Sequence, residues 1–221
     1  MARPRNLEKR ESIRIIAEKL MMEHGYRSTS YAMIAEQAAV PRAQVQYYFP
    51  KKAQIVTGLL NRALDLSIRY IDTYGLRGSD GYATLFRAGQ IYFTFLFQDE
   101  QLRRLTLDVM ADREISSELL FLNQRWADDF LSPNLRVEGE SEEAFAMVVG
   151  GTYELCYLHL SRGEKVDVVG TVRRMLIAFM TLTGTGAADA RRVLEGAELD
   201  AKKTLDLAHK MRRELPEMPQ S

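Results

Sequence analysis

Cysteine is nearly absent from this 221-residue sequence, in which Cys156 stands alone. A single thiol excludes an intrachain disulfide and suits a reducing, cytoplasmic setting. Net charge is absent too, since 30 Lys and Arg balance 30 Asp and Glu. No apolar run reaches the ~18 residues that mark a transmembrane helix. The longest, 145–160, is interrupted by Thr152, Glu154 and His159, so no membrane partner is expected. The opening MARPRNLEKRESIR is charged without an apolar stretch, which argues against a signal peptide. Alternating Val/Ile/Thr runs and Asn-Gly hairpin signals are missing, so strands are not expected. Also missing are a nucleophile beside its base, a phosphate-cradling glycine loop and a zinc motif. Cys156 and His159 lie one helical turn apart, but no third or fourth ligand stands at fitting spacing. The chain is therefore read as a non-enzyme with no cofactor and no metal.

What is there becomes visible once the zero charge is divided. Residues 1–52 hold ten Lys and Arg against five Glu, or +5, and the other 169 residues carry −5. The stretch 98–143 has twelve acids against five Arg, or −7. Phosphate backbones attract a basic head and repel an acidic body.

Apolar spacing reads as helix almost throughout. Ile13, Ile16, Ala17, Leu20 and Met21 form one stripe over 8–24, which Gly25 ends. Ser28, Thr29 and Ser30 offer capping oxygens for a short helix over 31–38. Another follows Pro41 and stops at Phe49-Pro50. A long helix is predicted over 51–74, and one that is apolar on several faces over 82–97, placed mid-bundle. Two or three helices fill 100–131. Helices over 141–162, started by Ser141, and 167–183, capped by Asp167, come next. The tail, 188–215, reads as one amphipathic helix weakened by Gly196.

Residues 25–52, GYRSTSYAMIAEQAAVPRAQVQYYFPKK, carry most information. Ile34 and Ala35 give the first short helix an apolar face. Ala38-Ala39-Val40 make a turn, and Val45 and Phe49 return to the same core. Two short helices so joined form a helix-turn-helix, whose second member fits a major groove roughly 12 Å wide. Arg42, Gln44, Gln46, Tyr47 and Tyr48 are then its outward residues. Arg suits guanine, Gln suits adenine, and tyrosine hydroxyls reach phosphates. Lys51 and Lys52 follow where helix N–H groups also favour phosphate.

Gly25, Thr29, Ile34-Ala35, Ala38, Val40, Tyr48-Phe49 and Lys52 resemble, in order, the N-terminal signature of the TetR family of bacterial transcriptional regulators. The resemblance is close over 8–60 and architectural beyond. It implies that Arg42, Gln44 and Gln46 face bases, and that Tyr47, Tyr48 and Lys52 face phosphates. It makes Thr29 the cap of a helix abutting the DNA backbone, with Ser30 beside it, and puts Arg3 and Arg5 in an arm that adds contacts. Departures are Ala39 and Ala43 where glycine is frequent, Pro41 for a Ser cap, and Gln46 for tyrosine. The helices 141–162 and 167–183 look like the dimerising pair of BetI-type members.

A single helix-turn-helix buries little surface, so a two-fold homodimer on double-stranded operator DNA is expected. Gly150, Gly151 and Thr152 allow close helix approach. Val148, Val149, Leu155, Met175, Leu176 and Phe179 supply apolar area. Aromatic and methionine residues of the middle are candidates to line an effector cavity: Tyr92, Phe93, Met110, Trp126, Phe130, Tyr153 and Tyr157. The acidity of 98–143 favours a cationic or neutral effector. By resemblance, the effector moves the helix 51–74 and spreads the heads.

The expected fold is all-α. A three-helix DNA-binding domain with a helix-turn-helix occupies 1–52 and continues into the connecting helix. A larger helical effector-binding and dimerisation bundle occupies 53–221. The expected function is a transcriptional regulator, a repressor released by a small molecule. The alternatives are a ligand-independent regulator and a helical protein–protein interaction scaffold.

Overall fold

A computed structural model describes residues 6–120 and 140–218, and every regular element among them is helical. Arg3, Arg5, Trp126 and Phe130 lie outside the described residues. Helix α1, Leu7–His24, starts where the Asn6 side chain accepts from the Lys9 N–H at 3.0 Å. It ends at Gly25, whose φ of +90° disfavours any residue with a Cβ. A Cβ there would also stand 2.9 Å from a carboxylate oxygen of Asp108, so this glycine lets the body pack against the turn.

Helix α2, Tyr31–Gln37, is capped by Ser30, and α3, Arg42–Tyr48, begins after Pro41 without a side-chain cap. Between them Ala39 has φ +50°, and no other non-glycine among the described residues has positive φ. A left-handed alanine costs about 1–2 kcal/mol, and glycine gives back about 0.4–1 kcal/mol through unfolded-chain entropy. Ala39→Gly is therefore expected to stabilise the protein by up to about 1 kcal/mol, or ~2–4 °C in Tm. A lower Tm in a thermal melt would show that the turn is not strained.

The body follows. Helix α4 is Ala53–Thr73, α5 is Gly81–Phe97, and α6 is Glu100–Met110, with α7 at 113–120. Then come α8, Glu140–Ser161, α9, Val168–Leu182, α10, Ala187–Val193, and α11, Ala201–Glu214, ending in a 3₁₀ turn, Leu215–Glu217. Helix α5 is the central one, as its all-round apolarity implied. It packs on α4, α6, α9 and α11, with Phe86 and Phe95 fully buried. Each such side chain contributes about 1.5–3 kcal/mol. Asp167 caps α9 as expected, accepting from the Gly170 N–H at 3.0 Å.

One expectation is corrected here. The tail is two helices, not one. Gly196 takes φ +66° in the break, where Arg87 donates to the Ala197 carbonyl at 2.9 Å and Gln90 accepts from the Leu199 N–H at 3.0 Å. Side chains of α5 thus satisfy backbone that a continuous helix would have satisfied itself. The tail docks on its own chain, α11 against α5. In α1, charged as well as apolar residues are buried: Arg14 and Glu18 are both fully covered.

Candidate nucleic-acid interface and body cavity

The head closes on Ile34, Ala35, Val45 and Phe49, all buried. The Tyr31 hydroxyl donates to the Phe49 carbonyl at 2.8 Å, which fixes the end of α3 against the start of α2. On the opposite side of α3, Arg42, Ala43, Gln46 and Tyr47 are exposed and Gln44 is half-buried. Tyr48 is not outward, and that expectation is corrected: it is only 6% exposed. At 3.6 residues per turn, Tyr48 shares the inner face with Val45 and Phe49. Its ring meets Tyr47 edge-on at 5.2 Å between centroids.

Thr29 is likewise corrected. Its hydroxyl is buried and donates to the Gly25 carbonyl at 2.8 Å, while exposed Ser30 caps α2 by accepting from the Met33 N–H at 3.2 Å. Lys52 is not a free phosphate contact. Its ammonium donates to the carbonyls of Tyr26 at 2.6 Å and Thr29 at 2.8 Å, and lies 4.2 Å from the centre of the Tyr26 ring. Burial pushes its pKa down, against the pull of Asp108 and Asp112. Lys52 thus clasps the α1–α2 turn. Lys51 is exposed and pairs with Glu114 at 2.6 Å. Surface pairs of this kind contribute only about 0–1 kcal/mol, so a phosphate can replace the carboxylate. Arg14 and Glu18 are buried together and cancel, so it is Lys52, engaged internally, that makes the +5 of the head overstate its outward charge.

In the body, α4, α5, α8 and α9 enclose a cavity of about 60 Å³. Tyr92, Phe93 and Tyr153 line it, as expected of the aromatic candidates. So do Met175 and Leu176, which the sequence reading had placed at the dimer interface. Leu64, Leu85, Gly89, Phe145 and Val149 are the other described residues of the wall. The spacing of Leu85, Gly89, Tyr92 and Phe93, one face of α5, was the signal available for two of these. Met110 is corrected: it lines a separate outer pocket with Arg113 and Glu154, which also touches Tyr153. Tyr157 lines neither. Among the described residues, the cavity wall carries no charged side chain. The described acids of 98–120 and 142–143 do not line it, so they supply no reason for a cationic occupant. Burial holds the Tyr92 phenol well above its ordinary pKa, so it is a neutral hydroxyl.

Cys156 is buried, which pushes its thiol up to about 12. His159 points away to Glu164, at 2.6 Å. Among the described residues no group of three or more potential metal ligands assembles.

On the far side of α8 an apolar stripe meets solvent: Met147 is 67% exposed, Leu155 37% and Leu158 38%, with Gly151 between them. Val169 and Leu182 of α9 are also exposed. Among the described residues, nothing lies within 4 Å of a Cβ placed on Gly150 or Gly151. Of the expected interface residues, Val148 and Met175 are half-buried, and Leu176 and Phe179 are corrected to the interior.

Residues 16–59, from the middle of α1 into α4, match the family model for bacterial regulatory proteins of the tetR family. The head is a TetR-family transcriptional regulator domain. The matched range contains the whole helix-turn-helix of this TetR-type head. Among solved structures, the chain is similar to a tetR-family transcriptional regulator from Streptomyces coelicolor. The identity is 18% and the TM-score 0.56, over 93% of this chain and 96% of that one. This shows that the likeness of fold extends through the body. It is also similar to the fatty acid degradation regulator FadR from Bacillus halodurans, with 18% identity and a TM-score of 0.48, over 83% of this chain and 97% of that one. No curated protein matches significantly. No described helix is long and apolar enough to cross a membrane.

Proposed function

We propose that this regulator is a two-fold dimer that represses by binding a palindromic operator and lets go when a small apolar effector enters the body cavity. Residues 1–52 are the reading head and 53–221 the effector and dimer body. The observation that carries the reading is the outer face of α3, which presents Arg42, Ala43, Gln46 and Tyr47 on a rigid apolar base. Arg42 bonds guanine bidentately, Gln46 suits adenine, and Ala43 is small enough to meet a thymine methyl. The Tyr47 hydroxyl reaches phosphate, which positions the helix without reading sequence. The exposed stripe of α8 is the natural contact for a second copy, because an unpartnered apolar face gains by burial.

Leu64 couples the cavity to the head. It sits on α4, the helix that follows directly on Lys52, the residue clasping the α1–α2 turn. At about 60 Å³ the cavity is small against the ~300–1,000 Å³ of ligand sites. An occupant must therefore part α4, α5, α8 and α9, and moving α4 moves the heads. Ligand and DNA then favour different states of one dimer.

Selection from a random duplex pool tests this reading. An inverted repeat is expected, with half-sites about one or more helical turns apart. Neutral apolar compounds that raise the Tm should weaken binding to the selected duplex. Absence of sequence preference at every salt concentration would sink the operator reading. A tight ligand that leaves operator affinity unchanged would sink the effector reading.

A further inference from the structure

Arg14 and Glu18 are out of place on the buried side of α1, and their partners explain them. Glu18 takes guanidinium groups from both Arg14 and Arg62, joining the first head helix to α4. Arg14 pairs with Glu11 as well. Its remaining reach goes to the far end of the chain, where Nη2 donates to the carbonyls of Pro216 at 3.1 Å and Met218 at 2.7 Å. Other bonds repeat the connection. Lys19 pairs with Glu217 at 2.8 Å, and the Tyr70 hydroxyl of α4 donates to Glu214 at 2.7 Å. Leu215 and Pro216 are buried in the angle between α1 and α4.

We propose that residues 215–218 are a strap that sets the angle of the reading head on α4, with Arg14 as a positioning residue for operator recognition. The proposal rests on the operator reading above. A buried ion cluster is a poor stabiliser compared with an apolar seam of the same volume. What it supplies is direction. An apolar seam lets α1 roll on α4. A planar guanidinium engaged by carboxylates on one side and two carbonyls on the other accepts one arrangement. A dimer that reads two half-sites at a fixed spacing needs that restriction, because each head must present α3 at the same angle. The strap reaches the head from the same tail that docks on α5, so the orientation of the head is tied to the central helix of the body.

The test uses the full-length chain and the duplex it selects, together with duplexes whose half-site spacing is altered by one and two base pairs. Arg14→Lys keeps a cation for Glu18 but cannot span both strap carbonyls. It is expected to remain a folded dimer, to bind the selected duplex at least tenfold more weakly, and to lose at least fivefold of its preference for the selected spacing. Binding to random duplex should not change. Loss of stability alone would weaken all duplexes equally, so a folded Arg14→Lys protein with the wild-type spacing profile overturns the strap. The unmodified chain gives a second readout that needs no variant. By linkage, operator DNA should slow hydrogen exchange in the C-terminal peptide at least fivefold, and unchanged exchange overturns the strap. A wild-type chain that selects no duplex overturns the operator reading and the strap together, whereas the other two failures overturn the strap alone.

Discussion

Charging the exposed stripe of α8 should dissolve the dimer and abolish operator recognition without touching the head. The variant is Met147→Glu with Leu155→Glu. Both side chains face solvent in the single chain, so the substitutions leave the protomer core intact. In a dimer the two carboxylates, repeated by symmetry, would be taken out of water opposite their own copies. Burying unpaired charge is far costlier than the apolar area it replaces. Once the copies part, each head binds one half-site, and the advantage of linked binding, about 10²–10⁴-fold, disappears. Affinity for the selected palindrome should fall about a thousandfold. Light scattering should give the mass of one chain, and the helical spectrum should persist. A dimer that survives both substitutions would move the interface elsewhere.

The second large effect belongs to Arg42. It opens α3, is exposed, and follows Pro41, whose fixed φ of −60° sets the direction of the helix. Arg42→Ala removes a bidentate base contact, which is worth about 1–3 kcal/mol of discrimination, or about 5- to 150-fold. Only one or two base positions should relax in a repeated selection. Phosphate contacts behave differently: losing one weakens all sequences alike and flattens the salt dependence. A uniform loss across sequences for Arg42→Ala would assign it to the backbone instead.

How far these features could be read from sequence depended on where their partners lie. Gly25, Pro41 and Asp167 act on backbone within four residues of themselves, so their roles as stop, start and cap were legible. The strain at Ala39 was legible through the resemblance, because glycine is frequent at that place of the turn. Tyr48 was not, since a helix of seven residues has too few turns for its period to separate inner from outer tyrosine. Lys52 looked like a phosphate contact because its partners, the carbonyls of Tyr26 and Thr29, are brought near only by folding. The burial of Arg14 and Glu18 had no signal in the sequence, because Arg62 and Pro216 lie far along the chain. The split tail followed the same rule, its break being held by Arg87 and Gln90 more than 100 residues away. Of the residues expected at a dimer contact, Leu155 is exposed, whereas Leu176 and Phe179 turn inward, and Met147 and Leu158 are exposed on the face of Leu155.

The divided charge also takes a different form in three dimensions. Fewer of the ten bases in the head face outward than their number implies, so the salt-dependent grip should be shallower than a +5 surface would give. Specificity must then come from α3 and from pairing two heads.

One titration tests that claim most directly: the wild-type chain against the selected palindrome, a single half-site in random flanks, and a scrambled duplex of equal length, at one fixed salt concentration. The palindrome should bind at least a hundredfold more tightly than the half-site, and the half-site more tightly than the scrambled duplex. Equal affinity for all three would contradict sequence-specific reading by a paired head.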